Sequence, residues 1–228
     1  PSAKYKAEGV TGIINIITKK SDQSGYNANL NLSLGTGDKY NGGFNANWKN
    51  NDLNIFIDYS YGNRIYTGER NTTREVFFET EAPFYNSQSN SRNRGISHSF
   101  RGGLDYTIDK FNSISIVNSF RMRDRTDNDV DNIYEYDANR NLVSQFLSSS
   151  TETDDRYDYE VGVNYYKNFA NSKQTLTAEF QFEYESDTER QNTTEQSIFP
   201  PNSTPNLYQQ NTDETEMNGD LRVDYMHP

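Results

Sequence analysis

From residue 25 onward, apolar and polar side chains alternate along the chain with a period of two. Over residues 26–34 every second residue from Tyr26 to Leu34 is apolar, and the residues between them are Asn or Ser. Comparable runs cover residues 40–48, 53–61, 96–106, 114–122, 157–165, 176–184 and 217–225. Because successive side chains of a strand point to opposite faces, the pattern predicts about eight strands of roughly ten residues, each with one apolar face.

The connections between these runs differ in predicted length. Short connections are predicted at Gly35–Lys39, Asn50–Asp52, Ile108–Asn112 and Phe169–Lys173, and long ones at Asn63–Arg94, Arg123–Asp155 and Glu185–Glu214. Transmembrane barrels of outer membranes have short periplasmic turns and long extracellular loops, whereas a soluble sandwich has no reason to separate them by end. The sequence therefore predicts an all-β fold, part of an antiparallel up-and-down transmembrane β-barrel.

The alternation also predicts which side chains meet lipid. Leu30, Leu32, Ile55, Ile57, Phe180 and Phe182 are expected to point outward, and Asn29, Asn31, Asp58, Glu179 and Gln181 into the lumen. Phe56 falls on the lumen register, where we expect it to contact a plug inside the barrel. Asn118 falls on the apolar register, and the sequence offers no reason for it.

Tyr and Trp cluster near the two predicted ends of the strands, as in the aromatic girdles of membrane barrels. The outer girdle is expected to hold Tyr40, Tyr59, Tyr61, Tyr157, Tyr159 and Tyr184, and the periplasmic girdle Tyr26, Trp48, Tyr106 and Tyr225. Strands favour Tyr in any case, but that preference does not place Tyr at both ends.

Composition narrows the class of protein. The 228 residues are only 32% hydrophobic, yet 14% are aromatic, which argues against disorder and is compatible with a membrane barrel. The net charge of −11 argues against nucleic-acid binding. With no Cys and 2 His, the chain has little material for catalysis, and His98 and Ser99 should point to opposite faces. We expect no enzyme, catalytic residue, metal or cofactor.

Two polar segments are candidate binding sites. The stretch from Asp127 to Asn132, with Asp129 and Asp131, resembles a calcium loop, but Asn132 stands where an EF-hand needs Gly and Ala138 where it needs Glu. A solvated acidic loop is favoured, and calcium binding by Asp127–Asp131 stays open.

Five arginines lie close together in the sequence of one long connection. They are Arg64, Arg70, Arg74, Arg92 and Arg94. Such a group could bind an anionic ligand or the phosphates of lipopolysaccharide. Glu69, Glu75, Glu79 and Glu81 are interleaved with them, so a loop of mixed charge is favoured.

The first twenty residues, PSAKYKAEGVTGIINIITKK, read differently from the rest. Their apolar residues crowd together, as in a strand buried on both faces, and the predicted barrel strands follow directly. This segment resembles the end of the plug domain of TonB-dependent outer-membrane receptors, in the versions typical of Bacteroidetes-type bacteria. The resemblance divides the chain into the end of a plug (1–20), a linker (21–25) and the N-terminal portion of a barrel (26–228). It assigns the closing strand of the plug to Gly9, Gly12, Ile13, Ile14, Asn15, Ile16 and Ile17.

The resemblance implies a function and partners. Receptors of this family import a scarce ligand, such as a siderophore, oligosaccharide, peptide or cobalamin, through a 22-stranded barrel. We therefore expect a piece of a longer bacterial outer-membrane protein that contacts lipid and lipopolysaccharide and couples to the TonB complex through an N-terminal region outside this chain. Neither the ligand nor its binding residues can be read from the sequence. The alternative hypothesis is a small closed barrel of about eight strands with a structural or adhesive role.

Overall fold

The structure is a computed structural model that describes residues 24–77, 82–170, 173–201 and 204–227. It consists of one antiparallel sheet of eight strands in which each strand pairs with the next along the chain. The predictions of an all-β, up-and-down arrangement and of about eight strands are confirmed. The strands are β1 (Gly25–Gly35), β2 (Lys39–Asn50), β3 (Leu53–Glu75), β4 (Phe84–Thr107), β5 (Asn112–Tyr136), β6 (Leu142–Asn168), β7 (Thr175–Phe199) and β8 (Asn206–Met226). The described ranges hold no helix with the length and apolarity that a membrane crossing requires.

The turns at one end of the sheet are short, as predicted. Residues 51–52, 108–111 and 169–174 connect the strands there. Asn51 has a φ of 41°, a left-handed conformation that Asn tolerates better than most residues. In the next turn, Asp109 Oδ1 accepts hydrogen bonds from the backbone N–H groups of Phe111 at 2.7 Å and Asn112 at 2.9 Å. These side-chain bonds hold the turn between β4 and β5.

The prediction of long loops at the opposite end is wrong. β3 and β4 stay paired to Glu75↔Phe84, so that only residues 76–83 connect them. Residues 137–141 and 200–205 are the other two connections after β3 at this end. The strands reach 27 residues in β6 instead of about ten. Their outer halves carry mostly polar side chains on both faces, so the apolar alternation disappears. Backbone pairing continues there, with register shifts between Glu135 and Tyr136 and between Gln145 and Phe146.

The sheet is open across the residues that the structure describes. β1 pairs only with β2, and β8 only with β7, so the order of strands is linear. The alternative of a small closed barrel is therefore wrong for this sheet, because closure would pair β1 with β8. Each outer strand presents a row of unpaired backbone N–H and C=O groups, which are suited to pairing with further strands.

The part of the sheet that the structure describes has no hydrophobic core. A single layer of strands buries apolar side chains only when something else covers one of its faces. No hydrophobic side chain among the described residues is buried, and Leu32 and Leu221 are 74% and 70% exposed. An apolar surface of this extent is not left in water by a stable protein, so the sheet requires a covering environment.

Candidate functional site

The pairing register sorts the side chains into two chemically different faces. Tyr59 pairs with Phe100 on β4, Phe100 with Phe120 on β5, and Phe120 with Tyr159 on β6, so all four lie on one face. We call this side the apolar face, and the opposite side the polar face. The six residues predicted to point outward lie on the apolar face, and the five predicted to point inward lie on the polar face.

Apolar side chains on the apolar face form a continuous belt across the sheet. We call it the apolar band and define it as the apolar-face residues of 26–34, 40–48, 53–61, 96–106, 114–122, 157–165, 176–184 and 217–225. One row of mutually paired residues crosses all eight strands: Leu30, Phe44, Tyr59, Phe100, Phe120, Tyr159, Tyr184 and Met217. Beyond the band the same face becomes polar, as at the pair Asp124↔Asp155.

All ten predicted girdle residues lie on this apolar face. They are Tyr26, Tyr40, Trp48, Tyr59, Tyr61, Tyr106, Tyr157, Tyr159, Tyr184 and Tyr225. The hydroxyl of Tyr59 lies 2.8 Å from His98 Nδ1, and the rings of Tyr61 and His98 lie 5.1 Å apart. We call the end of the sheet with the connections at residues 76–83, 137–141 and 200–205 the upper end. His98 therefore belongs to an aromatic cluster at the upper edge of the band. Ser99 lies on the polar face, so the two residues do not form a catalytic pair.

Asn118, which the sequence left unexplained, has a partner in the middle of the apolar band. It pairs with Gly102 on one side and with Val161 on the other. The Tyr159 hydroxyl donates a hydrogen bond of 2.8 Å to Asn118 Oδ1. This bond satisfies a polar acceptor on a face that is otherwise apolar.

The polar face opposite the band is strongly charged. Its carboxylates are most numerous on β7, and its arginines lie mainly on β3 and β5. Arg156 bridges two strands, with Nη2 at 2.8 Å from Glu185 and Nε at 3.1 Å from Asp158. A cavity of about 300 Å³ opens here, and its lining includes Glu160 and Glu183. Carboxylates and guanidiniums at this density need water or ligand and are incompatible with contact to hydrocarbon.

Phe56 is an aromatic residue on this polar face, on the register that the sequence predicts. The Arg101 guanidinium lies 5.5 Å from the centre of its ring. A contact between Phe56 and a plug stays a prediction, because the plug segment lies outside the described residues.

The arginine cluster predicted from the sequence is divided between the faces. Arg64, Arg70 and Arg74 lie on the polar face, whereas Arg92 and Arg94 lie on the opposite side. Cross-strand pairing instead brings Arg64 close to two arginines from a different part of the chain, Arg123 and Arg125, around a shared pocket. Sequence reasoning missed this group. The one available signal was that Arg123 and Arg125 are two residues apart and so share a face of their strand.

The predicted calcium loop is part of strand β5. Asp127 and Asp131 point to the polar face, whereas Asn128 and Asn132 point to the other. Asp127 and Asp131 are four steps apart along the strand, or about 13 Å, too far for one ion to bind both. Among the described residues no group of three or more His, Cys, Asp or Glu side chains could hold a metal ion.

Acidic neighbours surround Asp127 on the polar face. Burial raises the pKa of Glu152, and repulsion by Glu189 adds to that effect. The hydrogen bond from Arg125 to Asp127 raises the pKa of the guanidinium and fixes its position. Arg125 and Asp127 are therefore paired and held in place, beside carboxylates that repel one another.

The predicted plug strand, Gly9, Gly12 and Ile13 to Ile17, lies outside the described residues, as does the linker to residue 23. Comparison of the chain with models of known protein families, with curated proteins and with solved structures finds no match. The two faces of the sheet and the residues of the opening segment are therefore the features that bear on function.

Proposed function

We propose that this chain is part of the barrel wall and plug of a TonB-dependent importer in a bacterial outer membrane. The observation that carries the proposal is the apolar band, a belt of apolar and aromatic side chains, none of them buried, that crosses all eight strands on one face of the single-layer sheet. Lipid is the covering environment that such a belt fits. The plug and the energy coupling rest on the resemblance of residues 1–20 to the family.

The dimensions of the band support a membrane crossing. Along β3 the band extends from Leu53 to Tyr61, and along β5 from Ile114 to Met122. Tilted strands of about 9–11 residues cross the hydrocarbon layer of an outer membrane. Polar residues such as Asp124 and Asp155 follow directly above, where lipid headgroups and water would begin.

The open edges of the sheet support a wall larger than eight strands. In hydrocarbon, every backbone N–H and C=O must be paired, so β1 and β8 require neighbouring strands. The 22-stranded barrel implied by the resemblance supplies them. The polar face then lines the lumen, where its charged residues meet water, ligand or the plug.

The importer works by transport and not by catalysis. Ligand would enter from the outer end, where the strands extend beyond the band, and would bind to groups of the lumen wall and plug. The inner-membrane motor would then pull the plug through TonB and open a path. In this mechanism the chain provides the fixed wall along which the ligand passes.

Uptake by whole cells tests the transport proposal. Cells with and without the full-length protein are given labelled ferric siderophores, cobalamin, oligosaccharides and peptides, each with and without a protonophore. At least one compound should accumulate only in cells that contain the protein, and the protonophore should abolish that accumulation. Protein-dependent uptake that survives the protonophore, or no protein-dependent uptake from the whole panel, would contradict the proposal.

A further inference from the structure

Strands β3, β4 and β5 surround an open position on the polar face, just above the apolar band. Gly95 on β4 pairs with Arg64 on β3 and with Arg125 on β5. A Cβ atom on Gly95 would meet nothing within 4 Å, so the centre of this arrangement is empty. We call it the Gly95 pocket, formed by three cross-strand rows: Gly62, Ser97 and Arg123; Arg64, Gly95 and Arg125; Tyr66, Asn93 and Asp127. Its volume is about 360 Å³, within the usual range for small-molecule sites.

The floor of the Gly95 pocket contains two buried oxygen acceptors without donors. Asp127 is only 6% exposed, and its Oδ2 accepts a hydrogen bond from Arg125 Nη2. Within the described residues, neither Asp127 Oδ1 nor Asn93 Oδ1 has a hydrogen-bond partner. Because buried acceptors are normally paired, the pocket offers two places for a hydroxyl or amine N–H to donate.

Three arginines of the polar face line the walls of the pocket, against one lining carboxylate, Asp127. Arg64 donates from Nε and Nη2 to Asn41 Oδ1 at 3.3 Å, and Arg123 donates from Nη2 to Asp154 at 3.3 Å. Each guanidinium has five N–H donors, so the arginines retain donors for another acceptor. Three guanidiniums with this spare capacity favour an anion, especially a carboxylate or phosphate.

We propose that the Gly95 pocket binds a hydroxylated anion, a small molecule that carries hydroxyl groups beside a carboxylate. The hydroxyls donate to Asp127 Oδ1 and Asn93 Oδ1, while the carboxylate accepts from the arginines. A cation is repelled by the three guanidiniums, and an anion without hydroxyls leaves the buried acceptors unpaired. This proposal rests on the proposed function in one respect: the hydroxylated anion is taken to be the ligand that the protein imports.

Two sources share this chemistry, and the experiment separates them. The full-length protein in detergent micelles is titrated by calorimetry with trigalacturonate, an acidic sugar, and with citrate, a hydroxy acid. Neutral galactotriose controls for sugar binding without charge. At least one of the two acids should bind with 1:1 stoichiometry, and galactotriose should bind at least tenfold more weakly. Binding of neither acid would overturn the proposal.

A pair of glycine variants locates the binding. Gly95→Val fills the empty centre of the pocket, whereas Gly162→Val adds the same side chain at another open position of the polar face, on β6. Both positions tolerate a Cβ, and Val suits a strand, so both variants should fold with an unchanged circular dichroism spectrum. Gly95→Val should weaken binding at least tenfold, and Gly162→Val should not change it. Equal affinity in the two variants would overturn the assignment to this pocket.

Charge provides a further check that does not depend on cavity filling. Arg123→Gln removes the positive charge and keeps a polar side chain. It should lower the affinity for the acid at least fivefold and leave the affinity for galactotriose unchanged. Equal loss for acid and neutral sugar would contradict recognition of an anion. Binding is measured without energy coupling, so failed uptake alone would refute the transport proposal and leave the pocket standing, whereas failed binding refutes the pocket alone.

Discussion

The ring of Phe56 takes the place of a side chain on Gly103, its directly paired neighbour on β4. A Cβ built on Gly103 would lie 2.7 Å from Phe56 Cζ and 2.5 Å from the carbonyl oxygen of Ile116. An aromatic ring over a glycine of the next strand covers backbone that would otherwise be bare, and it holds the two strands in register. Phe56 therefore has a structural reason to interrupt the polar face, whether or not it also touches a plug.

Adding a methyl group at Gly103 should destabilise the protein. The backbone carbonyl of Ile116 cannot move away without breaking the pairing of β4 and β5, so we expect Gly103→Ala to cost about 1–3 kcal/mol of unfolding free energy. Gly162→Ala is the matched control, because its Cβ would meet nothing within 4 Å. Urea unfolding of the full-length protein in micelles measures both, and equal stability of the two variants would contradict the close contact.

The hydrogen bond between Tyr159 and Asn118 should show strong coupling. Tyr159→Phe leaves the Asn118 amide without its donor on the apolar face, which we expect to cost about 1–2 kcal/mol. The double variant Asn118→Leu/Tyr159→Phe removes both polar groups and should recover the stability of the wild type or exceed it. Unfolding in micelles of the two single variants and the double variant gives the coupling energy. Additive losses would mean that the two side chains do not interact.

A positive charge should destabilise the protein strongly at one position of β7 and only mildly at the adjacent position. Phe180→Arg places a guanidinium in the apolar band and should cost about 2–4 kcal/mol in the membrane. Gln181→Arg should be mild, because Gln181 Nε2 already donates to Glu160 at 3.1 Å and to Glu183 at 2.7 Å, where an arginine finds carboxylates. Folding into lipid vesicles measures both costs. A larger cost at Gln181 would reverse the assignment of the faces.

Spin labels on β1 should report lipid with a period of two. In native outer membranes, labels at Ala28, Leu30, Leu32 and Leu34 should collide with a lipid-soluble relaxation agent, and labels at Asn29, Asn31 and Ser33 should not. The reason is the alternation of faces along a strand. Uniform accessibility, or exchange of the two phases, would contradict the membrane assignment as well as the face assignment.

The β5–β6 turn should loosen in acid. Hydrogen bonds from the Asn141 side chain and backbone, and from the backbone of Asn139, lower the pKa of Asp137. A carboxyl whose pKa is lower in the folded state stabilises fully above its ordinary pKa of about 4 and loses that effect as the pH falls through the lowered value. Protection of the turn amides against hydrogen exchange should therefore be constant from neutral pH to about pH 5 and fall only in stronger acid. Asp137→Asn should remove this pH dependence, and an identical profile in both proteins would refute it.

The sequence predicts the lower half of the sheet well and the upper half poorly, for a physical reason. Between Leu30 and Asn31 the contrast in hydropathy marks the two faces, because one of them must avoid water. Above the band both faces are polar, and the alternation no longer indicates which residues are in strands, although the backbone pairs as before.

The Gly95 pocket could not be predicted from the sequence for the same reason. Gly95 lies opposite Arg64 only because the connection at residues 76–83 is short, and spacing along one strand does not reveal that register.

The extension of the strands beyond the band gives the proposed importer a tall rim. From Arg123 to Tyr136 at the end of β5, continuous strand rises by about 40 Å along its axis. A rim of paired backbone bends far less than loops of equal length, so its width should change little when a ligand arrives. The Gly95 pocket lies at the foot of this rim, just above the apolar band, so its mouth should keep the same width with and without ligand.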